Sequence, residues 1–164
     1  NKSGAREIAS SLTDALDNIQ RCKSCRMLTT SDFCNVCKDE TRDAQSICVV
    51  ESPSDLLAIE STRGYEGKYF VLMGRLSPLD NLGPDDLGIP QLLDRIDKEN
   101  IKEIILALSS TVEGDATAIF IKDHVENIKV SRISYGIPIG GELEYVDSNT
   151  IARSIIGRVE INDD

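Results

Sequence analysis

The chain has 164 residues, of which 40% are hydrophobic, and a formal net charge of −10. This composition suffices for one domain with small appendages, and no apolar stretch approaches the roughly 20 residues of a membrane span. The excess acid lies entirely in residues 45–164 and argues against a broad phosphate-binding face, because nonspecific nucleic-acid binding depends on Lys and Arg.

The first predicted element is a helix over residues 5–20. Its apolar residues recur at helical spacing and are Ile8, Leu12, Leu16 and Ile19. No charged-then-apolar leader precedes this helix, so we expect a cytoplasmic protein. The chain begins at Asn1 rather than at Met, and we therefore expect a fragment of a longer protein.

Two Cys-x-x-Cys pairs follow the helix, Cys22 with Cys25 and Cys34 with Cys37. Each pair can present two thiolates from one tight turn, and two such turns close a tetrahedron around one Zn²⁺. Ligation by four cysteines leaves no open position for water, so this zinc would be structural rather than catalytic. The alternative is two disulfides or four unconnected thiols, which a reducing compartment disfavours. Metal binding would supply much of the folding free energy of so small a segment.

Residues 38–46 are polar and are predicted to form a linker. Beyond them, short apolar runs alternate with helical segments, which is typical of a parallel α/β sheet covered on both faces. The predicted strands are 47–51, 69–73, 104–108 and 130–134. The predicted helices are 53–63, 90–99, 114–125 and 147–156, followed by a last strand over 158–161. The connection 74–89 is irregular, and a loop of this length is uncommon unless it is functional or forms an interface.

Ligands and partners meet the carboxyl ends of the strands in such sheets, which singles out Glu51, Asp55 and Glu113. Three converging carboxylates could hold Mg²⁺. Two of them have a structural alternative, because Ser52 with Asp55 and Ser110 with Glu113 have the spacing of a helix capping box. Glu51 ends a strand and caps nothing obvious, so a functional role is expected there first.

Three further features are predicted to be structural. Cys48 lies inside an apolar strand and is expected to be a small buried hydrophobe. His124, the only histidine, is expected at the surface without a role. The glycine-rich stretch 136–141 is not followed by Lys and is expected to be a tight turn, and the chain has no P-loop consensus.

Five separated motifs, in order, resemble the RecR family of bacterial recombination mediators. They are the two cysteine pairs, ICVVESPSD (47–55), GRLSPLDNLGPDD (74–86), TVEGDAT (111–117) and GIPIGGELE (136–144). The resemblance covers essentially all of the chain. It implies an α/β fold in which a helix (1–21) leads into a four-cysteine zinc finger (22–37) and a parallel-sheet Toprim domain (46–141). In the remaining segment, 142–164, the last predicted strand could pair within the subunit or across an oligomer interface.

The resemblance also implies a function in recombinational DNA repair, with RecO and RecF as partners that help to load RecA at single-stranded gaps. Members of the family assemble into ring-like homo-oligomers that can encircle DNA, and a dimer or tetramer is expected here. They begin with a helix-hairpin-helix module that contacts DNA, and this chain has only the helix that follows it. Direct DNA binding by the chain is therefore expected to be weak.

One departure from catalytic Toprim domains bears on the chemistry. Those domains carry an Asp-x-Asp motif after the third strand, where this chain has Ser109 and Thr111. A phosphoryl-transfer metal site lacks ligands without these acids, so we predict a non-enzymatic scaffold. Glu51, Asp55 and Glu113 would then form a docking face for basic partners. Two alternatives stay open: a Mg²⁺-dependent phosphoryl-transfer enzyme acting on DNA, and a zinc-dependent interaction module without a nucleic-acid role.

Overall fold

A computed structural model describes residues 1–160. The helices are α1 (Lys2–Asn18), α2 (Asn35–Lys38), α3 (Pro53–Thr62), α4 (Ile89–Lys98), α5 (Val112–Asp123) and α6 (Ser148–Ile156), with a 3-10 turn at Leu143–Tyr145. The strands are β1 (Gln20–Arg21), β2 (Leu28–Thr29), β3 (Asp43–Val50), β4 (Gly67–Val71), β5 (Glu103–Ala107) and β6 (Lys129–Arg132). Contacts divide the chain into two units, Asn1–Ser131 and the residues from Arg132 onward.

The first unit is built on a four-stranded sheet with the order β4-β3-β5-β6. β3 pairs in parallel with both of its neighbours, and Cys48 lies opposite Tyr69 on one side and Ile105 on the other. The last five residues of β3 and all five of β4 are buried, as expected for parallel strands that are covered on both faces. The predicted α/β parallel-sheet fold is confirmed.

Alternate residues of the strands point to opposite faces of the sheet, and each face has its own core. Ile47 and Val49 pack with Phe70 on the face covered by α4 and α5. Cys48 and Val50 face the other side, where Leu56 of α3 covers them. Partly buried residues of the cysteine segment, Met27 and Val36, pack on this second core. The sheet therefore supports the cysteine segment directly.

The predicted linker over residues 38–46 is wrong at both ends. Lys38 belongs to α2, and β3 begins at Asp43, so the connection is limited to residues 39–42. The polar start of β3 is a strand because its backbone pairs with neighbouring strands: Asp43 pairs with Gly67, and Ser46 pairs with Glu103. Polar residues give no apolar pattern to predict from, so only the sheet contacts reveal this part of the strand.

The first helix, α1, begins earlier than predicted, because Asn1 caps it through hydrogen bonds from the N–H groups of Ser3 and Gly4. The helix ends at Asn18 rather than at residue 20, because Gln20 and Arg21 belong to β1. None of its residues is buried, and Ile8, Leu12 and Leu16 are exposed. Among the described residues, no helix combines the length and the apolar character needed to cross a bilayer.

The second unit contains the 3-10 turn and α6, whose N-terminus is capped by the Asp147 side chain. No residue from Arg132 to residue 160 is buried. The glycine-rich stretch forms the expected turn, in which the Gly141 N–H donates to the Pro138 carbonyl over 2.9 Å. The last predicted strand is not formed by residues 158–160, and residue 161 lies outside the described part of the chain.

Candidate metal centre and acidic face

The first cysteine pair lies on a tight turn that closes a small hairpin. β1 and β2 pair in antiparallel fashion, and the Cys22 N–H donates to the Met27 carbonyl over 2.7 Å. The Arg26 backbone N–H donates to the Cys22 carbonyl over 2.9 Å, and Arg26 adopts a left-handed backbone conformation with φ 65°. This turn brings Cys22 and Cys25 to the same side.

The second pair lies at the start of a short helix. Cys34 precedes α2 and Cys37 lies within it, one turn further on. The Cys34 N–H donates to the Cys22 sulfur over 3.3 Å, which ties the two turns together. Residues 22–37 are called the cysteine knuckle below.

All four sulfur atoms lie within 4.8 Å of one another. The Cys25 and Cys34 sulfurs are 3.4 Å apart, far beyond the roughly 2.05 Å of a disulfide, and all five cysteines of the chain are free thiols. A tetrahedron with Zn–S bonds of roughly 2.3 Å has S···S edges of about 3.8 Å, so the cluster has the size that a tetrathiolate site requires. The disulfide alternative is therefore wrong.

The close thiols perturb one another. A hydrogen bond with Cys25 lowers the pKa of the Cys34 thiol, and the same bond raises the pKa of Cys25. Four sulfurs at this separation cannot all ionise without a counter-charge, because like charges disfavour one another at short range. A divalent cation would supply that charge and replace the shared protons. The donor set thus fits a metal ion.

The knuckle is bonded to an edge strand of the sheet. β4 is the first strand in the sheet order, and its Val71 N–H donates to the Cys25 carbonyl over 2.8 Å. An uncovered edge strand invites pairing with other chains, and the knuckle occupies part of that edge. The ligand residue Cys25 is therefore attached to the sheet by its own backbone.

Lys68, also on β4, binds the far side of the knuckle. Its side chain is buried, and its Nζ donates to the carbonyls of Val36 (3.1 Å), Cys37 (3.3 Å) and Asp39. These carbonyls lie at the C-terminal end of α2, where a cation is favoured by the helix dipole. One cation thus fixes the helix that carries Cys37.

Two side chains of α4 hold the first turn of the knuckle. Arg95 is buried and donates to the Tyr69 carbonyl over 2.8 Å and to the Ser24 carbonyl over 3.5 Å. Gln91 donates to the Lys23 carbonyl over 2.9 Å. Backbone carbonyls of both turns therefore find donors on the sheet or on α4, as buried acceptors require.

Glu51 has a structural partner that the sequence did not reveal. Its Oε1 accepts hydrogen bonds from the Ser109 backbone N–H (2.7 Å) and hydroxyl (2.6 Å). Its Oε2 lies 3.4 Å from Nη1 of Arg75, and its side chain is only 15% exposed. The prediction that Glu51 caps nothing is wrong, because it holds the end of β5 against the end of β3.

The other two acids lie in first turns of helices. Ser52 and Asp55 form the predicted capping box: the Asp55 N–H donates to the Ser52 hydroxyl, and the Ser52 N–H donates to the Asp55 carboxylate over 2.9 Å. The capping box predicted for Ser110 and Glu113 is wrong, because Thr111 caps α5 through the Gly114 N–H. Glu113 lies in the first turn of α5, where an acid is favoured by the helix dipole.

Within residues 1–160, the four cysteines are the one group of three or more His, Cys, Asp or Glu side chains that could hold a metal ion. Glu51, Asp55 and Glu113 do not form such a group. Ser109 serves as a hydrogen-bond donor to Glu51, and Thr111 serves as a helix cap. The functional roles of the three acids stay a prediction.

The minor candidates lie where the sequence placed them. Cys48 is buried, and burial raises the pKa of its thiol to about 12, so it behaves as a small apolar residue. His124 is exposed, stacks on Phe120 with ring centroids 4.2 Å apart, and contacts the Phe120 carbonyl through Nδ1.

Four cations that organise the site were not predicted from the sequence: Arg26, Lys68, Arg75 and Arg95. Arg26 directly follows Cys25, a candidate metal ligand, and this adjacency is the one feature of the sequence that could have indicated a role for any of the four cations. The partners of Lys68, Arg75 and Arg95 include residues 24 or more positions away in the chain. No spacing rule predicts such contacts.

The fold and the site together define a Toprim domain that carries a four-cysteine cluster on its sheet edge. The Toprim domain family model matches residues 45–134, more than half of the chain. A second model, described as the C-terminal part of RecR, matches residues 136–159.

Two curated relatives identify the family to which the chain belongs. The chain is 46% identical over 158 residues to the protein named "Recombination protein RecR" of Coxiella burnetii, covering 95% of this chain and 79% of that protein. It is 45% identical over 162 residues to the protein of the same name from Saccharophagus degradans, covering 98% of this chain and 82% of that protein. The chain belongs to the RecR family.

Proposed function

We propose that this chain acts in recombinational DNA repair in the bacterial cytoplasm, as a scaffold that works with RecO and RecF to promote RecA loading at single-stranded gaps. The observation that carries the proposal is the 46% identity to a curated recombination protein over 95% of the chain. The relatives are named as recombination proteins rather than as enzymes, which agrees with a mediator that catalyses no reaction.

The cysteine knuckle would hold one structural Zn²⁺ through Cys22, Cys25, Cys34 and Cys37. Four thiolates saturate a tetrahedral ion, so the ion would supply folding energy rather than chemistry. Because Val71, Lys68 and Arg95 all bond to the knuckle, the ion would hold one edge of the Toprim sheet in place.

Glu51, Asp55 and Glu113 would contribute to a docking face for basic partner proteins. The surplus of 10 acidic residues over the whole chain gives a field that steers cationic partners toward it. Glu113 offers the sharper test, because Glu51 and Asp55 also serve internal hydrogen bonds.

The experiment is a calorimetric titration of RecO into the wild type and into Glu113→Lys. Reversing one charge at a docking face should weaken binding about tenfold or more. Glu126→Lys is the matched control, since Glu126 is exposed and follows the opposite end of α5. Equal affinity for the wild type and Glu113→Lys would refute the docking face.

Self-association into a dimer or a tetramer is part of the proposal. The described residues from Arg132 onward bury no side chain, and Ile139, Leu143, Tyr145 and Ile156 are all exposed. Burying these four apolar side chains against a second copy of the chain would favour association. The oligomeric mass by light scattering, with and without zinc, tests this; a monomer under both conditions would contradict it.

The competing function is Mg²⁺-dependent phosphoryl transfer on DNA. No contact in the described residues favours it, because the three acids do not form a metal-binding group. Incubation with Mg²⁺ and labelled single- and double-stranded DNA decides between the two. Cleavage that Glu51→Gln abolishes would overturn the scaffold.

A further inference from the structure

The loop between β4 and α4, residues 72–88, is attached at its start to Glu51 and Thr117. The Gly74 N–H donates to the Glu51 carbonyl over 2.9 Å, and the Arg75 side chain lies beside the Glu51 carboxylate. The Leu76 N–H donates to the hydroxyl of Thr117, which is fully buried in α5. The first part of the loop is therefore held by Glu51, one of the three acids of the docking proposal, and by Thr117.

The same loop is attached to the cysteine knuckle at its end. The Arg26 guanidinium donates to the Leu87 carbonyl and, over 3.1 Å, to the Asp86 carbonyl. It also lies over the Phe70 ring, 5.8 Å from the centroid, and Arg26 is only 5% exposed. A guanidinium with this much packing and two carbonyl acceptors orders the chain segment that it contacts.

Gly88 shows how closely Arg26 approaches. This glycine caps α4 with φ 67°, and a Cβ at this position would overlap the Arg26 guanidinium. A side chain here would thus meet both a backbone conformation that L-residues avoid and the arginine itself. The end of the loop is shaped around Arg26.

Arg26 depends in turn on the knuckle. It stands next to Cys25, its N–H is bonded to the Cys22 carbonyl, and its φ of 65° is uncommon for a residue with a side chain. Such a backbone persists only where its surroundings impose it, and here the cysteine turn does so. Loss of the metal would release the turn and withdraw the guanidinium from the two carbonyls.

We propose that Arg26 is a positioning residue that couples the metal-bound state of the cysteine knuckle to the conformation of the loop 72–88. The loop carries an exposed leucine, Leu79 (93% exposed), and exposed acids at Asp80, Asp85 and Asp86. The loop would add these acids and one apolar contact to the docking face of Glu51, Asp55 and Glu113, and so bind the same basic partner. Only this last step rests on the proposed function; the coupling does not.

The test is hydrogen–deuterium exchange of the full chain, measured without any partner. The reporter is the segment 82–89, where the Gly88 and Ile89 N–H groups bond within the loop. Arg26→Ala should raise exchange in this segment about tenfold or more, while the core segment 47–50 stays protected. Treating the zinc-loaded wild type with EDTA should give the same local increase. Arg21→Ala, an exposed arginine of the same hairpin, is the matched control and should change nothing in the reporter.

Two outcomes overturn the coupling. One is a reporter segment that stays protected in Arg26→Ala; the other is EDTA raising its exchange in Arg26→Ala by the same further factor as in the wild type.

Gly88→Ala approaches the same contact from the loop side and leaves the knuckle sequence unchanged. It should raise exchange in the wild-type background and add clearly less in the Arg26→Ala background, because part of its effect is the clash with the guanidinium. An equal increase in both backgrounds would mean that Arg26 does not shape the loop. Because no partner is present, these results are independent of RecO binding.

Discussion

Lys68→Met should undock the cysteine knuckle from the Toprim sheet. Met keeps most of the apolar stem of Lys68 but removes the ammonium that donates to three carbonyls at the end of α2. These acceptors lie in a partly buried position, and Lys68 itself is only 8% exposed. The variant therefore removes the Lys68 donor from these three carbonyls and supplies no other donor in its place.

The expected cost follows from the contacts. A hydrogen bond from a charged donor contributes about 1.5–3 kcal/mol, and the three bonds share one cation, so we expect a loss of about 2–4 kcal/mol. A domain of this size is stable by only about 5–15 kcal/mol, which makes the loss large. With a urea slope of about 2 kcal/mol per molar, the midpoint should fall by about 1–2 M.

Two measurements check this prediction: urea unfolding followed by circular dichroism, and the rate at which a chelator removes zinc. Release should accelerate about tenfold or more, because the helix carrying Cys37 loses its anchor. Lys38→Met is the matched control; Lys38 is exposed and its Nζ donates to the Ser31 hydroxyl in an exposed hydrogen bond, so a change under about 0.5 kcal/mol is expected. A Lys68→Met protein with the urea midpoint and release rate of the wild type would refute the anchoring role.

Three further predictions concern the core and the metal. Thr117→Val keeps the shape of the buried side chain but leaves the Leu76 N–H without its acceptor, so urea unfolding should show a loss of about 1–3 kcal/mol; an unchanged midpoint would contradict the contact. Cys34→Ser should lower bound zinc below one ion per chain and impair assembly, with DNA handling lost only as a consequence. If mass and circular dichroism stay normal while DNA-linked activity disappears, the knuckle acts directly on DNA instead. The third prediction concerns pH: burial raises the pKa of Cys48 to about 12, so its contribution to stability is complete below the unfolded pKa of about 8.5 and is lost as pH rises toward 12. Urea midpoints at pH 8 and 10.5 should therefore fall further for the wild type than for Cys48→Ala, and equal falls would show that Cys48 does not titrate this way.

Local patterns predicted most elements of the fold. The apolar runs placed β4, β5 and the buried part of β3 to within two residues, because a strand buried on both faces needs an uninterrupted apolar segment. The capping box of Ser52 and Asp55 was predicted correctly because both partners lie within one helical turn. The four cysteines were equally clear, since the spacing within each pair sets the geometry of its turn.

Predictions failed where a contact links distant parts of the chain. The polar residues at the start of β3 become a strand only because Gly67 and Glu103 pair with them. Ser110 and Glu113 have the spacing of a capping box, but α5 begins at Val112 and Thr111 is its N-cap. Glu51 looked free for function because Ser109, its hydrogen-bond donor, lies 58 positions further on.

The sequence by itself determined that this protein has a parallel α/β sheet and a four-cysteine cluster, because short-range periodicity and cysteine spacing set both. Only the tertiary structure decided how the two are joined. Arg26, Lys68 and Arg95 attach the knuckle to the loop and the sheet through backbone carbonyls. Every residue type carries that carbonyl, so such contacts leave no mark in the sequence, and they exist only once the folded chain has brought donor and acceptor together.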